Sequence, residues 1–332
     1  MHRVIAYLLE SLQRTDFRRW QNTITKEAYS TLEFSNASGD DEVKMVTKLC
    51  EALNNKNFGQ FRLYAHKIHG KRSMVEFLNG ENSLVTRELA DMVILSLITE
   101  GDKVVLEKFA FIQNKKEQCK GKWDIEQSQL YLLHNLPTFD GVSGIFRHEK
   151  NIALSSAQGR LGNYGLFSAP CNIAFVNARI INALQKGSVV SIDDIKKNTA
   201  FSNTVNFPYW GCFDECGHHD LYYILKHGLG HNLLGYGGIP VLGDCSIALN
   251  MHQFIRNWTQ FNIGEIIIAN GRTQCKALTD LSRAYKKAAG FKDLLKYSFD
   301  NSNDIGNEKG FKWIAEGIDT AVIILHCDIT NK

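Results

Sequence analysis

The sequence has no run of apolar residues that approaches the roughly 18 needed to cross a lipid bilayer. Near the amino terminus, Glu10 interrupts the apolar positions before any cleavage site of a secretory leader. These absences exclude a helical membrane protein and a membrane partner. We therefore expect a cytoplasmic location.

A strong excess of charge is also missing, since the formal net charge is +3. Proteins that coat nucleic acid through a global electrostatic field are far more basic. Any contact with nucleic acid must therefore come from a local patch. The 44% apolar and 22% charged content is that of an ordinary globular protein.

The eight cysteines are dispersed, which is typical of reduced thiols and not of a disulfide framework. The nearest approach to a zinc motif pairs two cysteines with two histidines: Cys212, Cys216, His227 and His231. Gly228 and Gly230 would break the helix that carries the histidines in such a site. The pattern does not favour Zn²⁺.

The most informative stretch extends from Arg87 to Tyr131. Two short apolar runs, rich in β-branched and aromatic residues, lie on either side of a polar turn at residues 100–102. Such runs, bounded by glycine and charge, are typical of buried strands. We predict two antiparallel strands joined in a hairpin.

Polar side chains mark one end of this hairpin. Asp91 opens the first strand, while Gln113 and Lys115 close the second and project from one face, roughly 6.6 Å apart. In a hairpin the start of one strand lies beside the end of the next, so the three side chains can meet. A carboxylate, an amide oxygen and an ammonium suit a hard divalent cation with water or phosphate beside it.

This arrangement resembles the PD-(D/E)xK nuclease superfamily, in a Gln-x-Lys variant, over roughly residues 38–150. The resemblance implies that Asp91, Gln113 and Lys115 are catalytic, together with Glu42 on a preceding helix, or Glu51 if that helix is rotated. It further implies that Asp91, Gln113 and Glu42 hold Mg²⁺, with Mn²⁺ able to substitute. The implied activity is hydrolysis of phosphodiester bonds in nucleic acid.

Two positions depart from the family pattern. Ala90 stands where proline is common, and Gln113 is neutral where most members have an acid. The site therefore carries one negative charge fewer, unless Glu42 or Glu88 compensates. A catalytically inactive nuclease-like fold, serving as a nucleic-acid-binding or assembly module, remains the alternative.

The resemblance also places supporting residues around the site. Gln127 and Tyr131 match a Gln-x-x-x-Tyr element and lie four apart on one helix face, where a structural polar pair is the competing interpretation. Glu88 is interpreted either as a supporting acid or as the charge partner of Arg87.

A lysine-rich segment follows the predicted site and includes an aromatic residue. Its candidates for nucleic-acid binding are Lys116, Lys120, Lys122 and Trp123. The lysines would contact phosphates and Trp123 would stack on a base. A solvated loop is the competing interpretation.

The predicted fold class is α/β, with a restriction-endonuclease-like core of helix, mixed central sheet and helix. We divide the chain into a helical segment (1–37), the nuclease core (38–150) and an additional C-terminal α/β region (151–332), which can pack with the core as one domain. Residues 61–68 and 73–78 are predicted as strands joined by a turn, and 320–326 as a late buried strand. Further predictions are a strand at 173–176 and a helix at 178–184.

The resemblance extends to biological context. Superfamily members of this kind are met in restriction, repair and bacterial defence against phage, with DNA favoured over RNA as the partner. A homo-oligomer and a partner protein of a defence system both stay open.

Overall fold

The computed structural model describes residues 2–154, 156, 159–169, 172–185, 187–202, 245–269, 272–297 and 318–330. The helices are α1 (His2–Gln13), α2 (Thr15–Ala37), α3 (Glu42–Leu53), α4 (Gln127–Asn135), α5 (Ala178–Leu184), α6 (Ile192–Ser202), α7 (Met251–Thr259), α8 (Lys276–Ala288) and α9 (Lys292–Leu295). The strands are β1 (Phe61–Ile68), β2 (Lys71–Arg72), β3 (Met74–Leu78), β4 (Leu84–Glu88), β5 (Met92–Glu100), β6 (Lys103–Lys116), β7 (Lys122–Asp124), β8 (Asp140–Gly141), β9 (Gly162–Ser168), β10 (Asn172–Asn177), β11 (Val189–Ser191), β12 (Ile247–Ala248), β13 (Glu265–Ala269), β14 (Arg272–Thr273) and β15 (Ile318–Asp328).

A mixed sheet forms the centre of the molecule, with the strand order β1-β15-β5-β6-β9-β10-β12. Strand β15 is antiparallel to β1 and parallel to β5. Strand β6 is antiparallel to β5 and parallel to β9. Strands from both sides of the predicted boundary at residue 150 therefore share one sheet, and a strand from residues 318–328 lies between two strands of the predicted nuclease core.

Helices cover both faces of this sheet. On β5, Met92 and Ile94 pack into one apolar cluster with α1, α2, α3 and α7. The alternate residues Val93 and Leu95 pack into a second cluster with α4, α5 and α8. Because successive side chains of a strand point to opposite faces, a strand covered on both sides must be apolar throughout. The α/β class with a mixed, helix-flanked sheet is confirmed.

The predicted hairpin is confirmed as β5 and β6, which pair from Met92 opposite Ile112 to Glu100 opposite Lys103. Gly101 has a φ of +61° in the connecting turn, a conformation that glycine adopts without steric cost. The first strand begins at Met92, directly after Asp91, and residues 84–88 pair with β3 as a separate strand.

The predicted pairing of residues 61–68 with 73–78 is wrong. Strand β1 pairs with β15 along its whole length, from Phe61 opposite Cys327 to Ile68 opposite Thr320. Strand β3 pairs with β4 and β8 in a smaller three-stranded sheet. A turn signal between two strands is local and does not show that a distant strand offers a longer apolar partner.

Other predicted elements are present, with small shifts. Helix α5 has the predicted bounds, and α3 follows Asp41, whose side chain accepts a hydrogen bond from the Lys44 N–H at 2.9 Å. The cysteines at positions 50, 245 and 327 are free and buried. No helix within the described ranges combines the length and apolarity that crossing a membrane requires.

Candidate functional site

Asp91 and Gln113 are in direct contact at one end of the hairpin. Nε2 of Gln113 donates a hydrogen bond to Oδ2 of Asp91 at 2.5 Å, and the backbone N–H of Asn114 donates to the same oxygen at 2.7 Å. The two groups that donate to Asp91 belong to consecutive residues of β6. The convergence of Asp91 and Gln113 predicted from the sequence is therefore present.

The backbone around Asp91 explains why its side chain is placed there. Its N–H donates to the carbonyl of Ile112 at 3.1 Å, and its own carbonyl accepts from the N–H of Ala321 at 2.9 Å. Asp91 is thus held between β6 and β15 just before β5 begins. Two strands with buried neighbours fix this position more firmly than a free loop would.

Lys115 and Glu42 lie at the same strand end. The positive charge of Lys115 acts on Asp91, and the Lys115 side chain has no hydrogen bond or ion pair with any described residue. Oε1 of Glu42 accepts a hydrogen bond from the backbone N–H of Lys116 at 2.6 Å, which docks the first turn of α3 onto the end of β6. The negative charge of Glu42 reaches Asp91 and favours its protonated form.

Several buried polar atoms at this strand end have no hydrogen-bond partner among the described residues. They are Oε1 of Gln113 and the hydroxyl of Tyr164 on the face of Asp91, and both side-chain heteroatoms of Asn114 on the opposite face. Tyr164 lies on β9 directly opposite Gln113. A buried polar atom without a partner costs free energy, so such a group of atoms indicates that something polar completes the site.

Burial raises the pKa of Asp91, although the Asn114 N–H, Lys115 and Gln113 oppose that shift. Burial and the nearby negative charge of Asp91 also raise the pKa of Glu88 to about 8. The raised pKa values mean that nearby positive charge does not fully stabilise the ionised forms of these two carboxyl groups. A cation that bound beside them would lower both pKa values and gain affinity from doing so.

A divalent cation fits this donor set in part. Oε1 of Gln113 has no partner, and the recorded hydrogen bonds to Asp91 and Glu42 use one carboxylate oxygen of each. Mg²⁺ prefers such oxygen ligands and keeps several waters, so three protein oxygens suffice. In the described part of the chain, no group of three or more His, Cys, Asp or Glu side chains could hold a metal ion. The site would depend on two carboxylates and an amide.

The predicted supporting residues are placed differently. Gln127 donates to the carbonyl of Gly187 at 2.6 Å, and the ring of Tyr131 stacks on Phe77. The residue of α4 that contacts the site is Gln129, whose Nε2 donates to the carbonyl of Glu88 at 2.7 Å. Helix α4 itself starts at Gln127.

Of the two interpretations of Glu88, the charge partner of Arg87 does not hold. Arg87 forms two hydrogen bonds with Glu126, at 2.6 and 3.0 Å, and Glu126 also caps the amino end of α4. The carboxylate of Glu88 faces Arg72 instead, at 3.8 Å, and its side chain is only 13% exposed. Glu88 therefore stays near Asp91 as a largely buried acid.

The lysine-rich segment divides into two parts. Lys120 and Lys122 are exposed, while Nζ of Lys116 donates to the carbonyl of Asp40 at 2.7 Å. Trp123 is 1% exposed, and its Nε1 donates to the carbonyl of Phe167 at 2.8 Å. The prediction that Trp123 stacks on a base is wrong, because its ring lies in the apolar core beneath β7.

Tyr164, Asn114 and Gln129 were not assigned to the site from the sequence. The side-chain period of the strand points the Asn114 side chain away from Gln113 and Lys115, and Asn114 reaches Asp91 only through its backbone N–H. Tyr164 gives no local signal, since only the parallel pairing of β6 with β9 brings it there. The cysteine and histidine motif at residues 212–231 lies outside the described residues.

No family model, curated protein or solved structure matches this chain.

Proposed function

We propose that the chain is a metal-dependent nuclease with a restriction-endonuclease-like core. The observation that carries the proposal is the contact between Asp91 and Gln113, with Lys115 next on the same strand face and Oε1 of Gln113 buried without a partner. An acid and an amide oxygen can hold a hydrated cation, and a lysine beside them can stabilise negative charge on a phosphodiester during its hydrolysis.

Asp91, Glu42 and Oε1 of Gln113 would hold a divalent cation. When bound, Mg²⁺ would supply positive charge beside the scissile phosphate and a coordinated water. Asn114 positions the Asp91 carboxylate through its backbone N–H. The raised pKa of Asp91 makes its ionised form, the form that binds a cation, depend on nearby positive charge.

Lys115 would donate hydrogen bonds from Nζ to the attacking water or to the phosphate oxygens. The water oxygen forms a new bond to phosphorus and one ester bond breaks. The water releases a proton to solvent, and the leaving alkoxide takes one up. Lys115 offsets the negative charge that develops on phosphorus, and such electrostatic stabilisation is commonly worth about 100-fold or more in rate.

The test is cleavage of end-labelled DNA and RNA oligonucleotides with Mg²⁺ or Mn²⁺. The variants are Lys115→Ala and Asp91→Asn, which keeps an acceptor for the Asn114 N–H while removing the charge. Lys103→Ala is the matched control, because Lys103 is an exposed lysine at the opposite end of β6. We expect cleavage by the wild type and Lys103→Ala, and a loss of at least about 100-fold in the other two.

Equal cleavage by all four proteins would remove the assigned site. A wild type that binds nucleic acid without cleaving it would favour the second function, an inactive nuclease-like binding or assembly module. The neutral Gln113 in the place of an acid is the observation that supports this second function.

A further inference from the structure

We infer that Tyr164 is a positioning residue of the candidate metal site. Its hydroxyl would accept a hydrogen bond from a water ligand of the cation that Oε1 of Gln113 coordinates, and would thereby hold the hydrated cation against Gln113. This inference rests on the proposed function and adds to it a residue from a distant part of the chain.

Tyr164 lies beside Gln113 on the face of the sheet that carries the site. Strand β9 pairs with β6 in parallel, and in this register Tyr164 is opposite Gln113 and Leu166 is opposite Lys115. Residues that are opposite each other in paired strands project from the same face of a sheet. Since Gln113 contacts Asp91 directly, Tyr164 and Asp91 are also on one face.

The hydroxyl of Tyr164 is a buried polar atom in apolar surroundings. Its ring packs in the same cluster as Phe109 and Phe111, and the residue is 0% exposed. The hydroxyl has no hydrogen-bond partner in the part of the chain that the structure describes. Buried tyrosine hydroxyl groups usually have such a partner, because an unsatisfied one costs free energy. A phenylalanine would fill the same cluster without this cost, so the hydroxyl indicates a ligand with a polar group of its own.

Gln113 presents a second atom of this kind. Its Nε2 donates to Asp91 at 2.5 Å, which leaves Oε1 for another partner, and within the described ranges Oε1 is buried without one. An amide oxygen can coordinate a cation, and a hydroxyl oxygen can accept a hydrogen bond. A hydrated cation satisfies both atoms, because it binds Oε1 and its water donates to Tyr164.

The charges near the hydroxyl favour a cation. Burial, and then the negative charges of Glu126 and Asp91, raise the pKa of Tyr164, so its hydroxyl stays neutral. A neutral hydroxyl beside two carboxylates favours the water of a cation over an anion. Hydrogen bonds of this outer kind orient metal ligands in proteins, and their loss costs roughly 10- to 100-fold in metal affinity.

The experiment is a measurement of the melting temperature in EDTA and along a titration with Mn²⁺, for the wild type and Tyr164→Phe. The metal-free protein gives the hydroxyl no partner to lose, so Tyr164→Phe should melt at the wild-type temperature or slightly above it in EDTA. In Mn²⁺ the melting temperature rises with occupancy of the site. We expect the dissociation constant obtained from this rise to be weaker in Tyr164→Phe by about tenfold or more.

Tyr285→Phe is the matched control. Tyr285 is a buried tyrosine of α8, and its hydroxyl forms hydrogen bonds with the side chains of Ser73 and Thr320. Its loss should lower the melting temperature in EDTA and leave the affinity for Mn²⁺ unchanged. Asp91→Asn should abolish the response to Mn²⁺, because it removes a charged ligand. The two tyrosine variants thus separate a hydroxyl that stabilises the fold from one that positions the cation.

Equal Mn²⁺ affinities of the wild type and Tyr164→Phe would overturn the inference. A drop in the EDTA melting temperature like that of Tyr285→Phe would also overturn it, since the hydroxyl would then be structural. A wild type that does not respond to Mn²⁺ would overturn both the inference and the metal dependence of the proposed function.

The cleavage assay with labelled oligonucleotides distinguishes the two proposals. Mn²⁺ binding that depends on Tyr164, without cleavage by the wild type, removes the nuclease and keeps the inference. Cleavage by the wild type, with unchanged Mn²⁺ affinity in Tyr164→Phe, does the reverse.

Discussion

Nε2 of Gln113 donates a hydrogen bond to Oδ2 of Asp91 at 2.5 Å, across the first pair of residues outside the β5–β6 ladder. A glutamate at position 113 would have to place a second carboxylate against the first. The amide lets the two side chains touch without a cation between them. The contact between the two side chains is therefore formed by the protein alone.

The change Gln113→Glu should make stability depend on a divalent cation. Two adjacent carboxylates repel each other, so without metal we expect a loss on the order of 1–3 kcal/mol in the free energy of unfolding. Mg²⁺ should then restore stability by binding the folded state. The measurement is the melting temperature in EDTA and in Mg²⁺, with Gln118→Glu, an exposed position, as the control. A Gln113→Glu variant that is indifferent to both conditions would contradict the expectation.

Glu88 should make the protein less stable as the pH rises. Its folded pKa of about 8 lies above the ordinary glutamate pKa of 4.5, so between these values the folded state binds more protons than the unfolded state. The free energy of unfolding should therefore fall from about pH 4.5 to pH 8, by an amount on the order of 2 kcal/mol. Urea unfolding at several pH values measures this slope.

In the same titration, Glu88→Gln should flatten the slope, because an amide does not ionise. Glu81→Gln is the matched control, since Glu81 is exposed on the turn between β3 and β4. Parallel curves for Glu88→Gln and the wild type would show that Glu88 is ionised in both states across this range.

Lys286 and Glu107 form a buried ion pair between α8 and β6, at 2.7 Å and with side chains 1% and 2% exposed. Lys286→Met should leave the Glu107 charge without compensation and cost about 3–5 kcal/mol. The double variant Lys286→Met, Glu107→Gln has no buried charge at this place and should recover most of the lost free energy of unfolding. Chemical denaturation gives the values, and Lys287→Met, at an exposed position of the same helix, should be within about 0.5 kcal/mol of the wild type. A double variant as unstable as the single one would argue against an unpaired charge as the cause.

Gly162 should not tolerate a side chain. A Cβ there would lie 2.1 Å from the carbonyl oxygen of Leu133, a backbone atom of α4. Gly162→Ala should therefore move α4 away from β9 and cost more than about 2 kcal/mol. Gly187→Ala is the comparison, because its φ of +69° is strained for alanine but nothing lies within 4 Å of the added carbon. We expect about 1 kcal/mol for Gly187→Ala, measured by thermal unfolding, and the reverse order would contradict the packing argument.

The part of the site that the sequence predicted depends on local signals. Strand periodicity and a turn containing Gly101 define the β5–β6 hairpin, and the hairpin brings Asp91 to Gln113. Glu42 was assigned by the family resemblance, and the helix predicted for it is present as α3. These features need only a short stretch of chain and its side-chain period.

The remaining parts depend on pairings between distant segments. Tyr164 reaches the site only because β9 runs parallel to β6, and Trp123 packs into the apolar core, where its N–H donates to the carbonyl of the distant residue Phe167. Gln129 replaces Gln127 because Glu126 caps α4, which sets where the helix begins and which residues face β4. No composition or spacing within one element reveals such partners.

The position of β15 has a consequence for synthesis on the ribosome. Strands β1 and β5 emerge early, yet each pairs along one edge with residues 318–328, which are translated long after them. Until then, the nascent chain exposes two apolar strand edges that have no partner. Such edges invite pairing with other chains, so this protein should depend on chaperones during translation more than a fold whose neighbouring strands are consecutive in sequence.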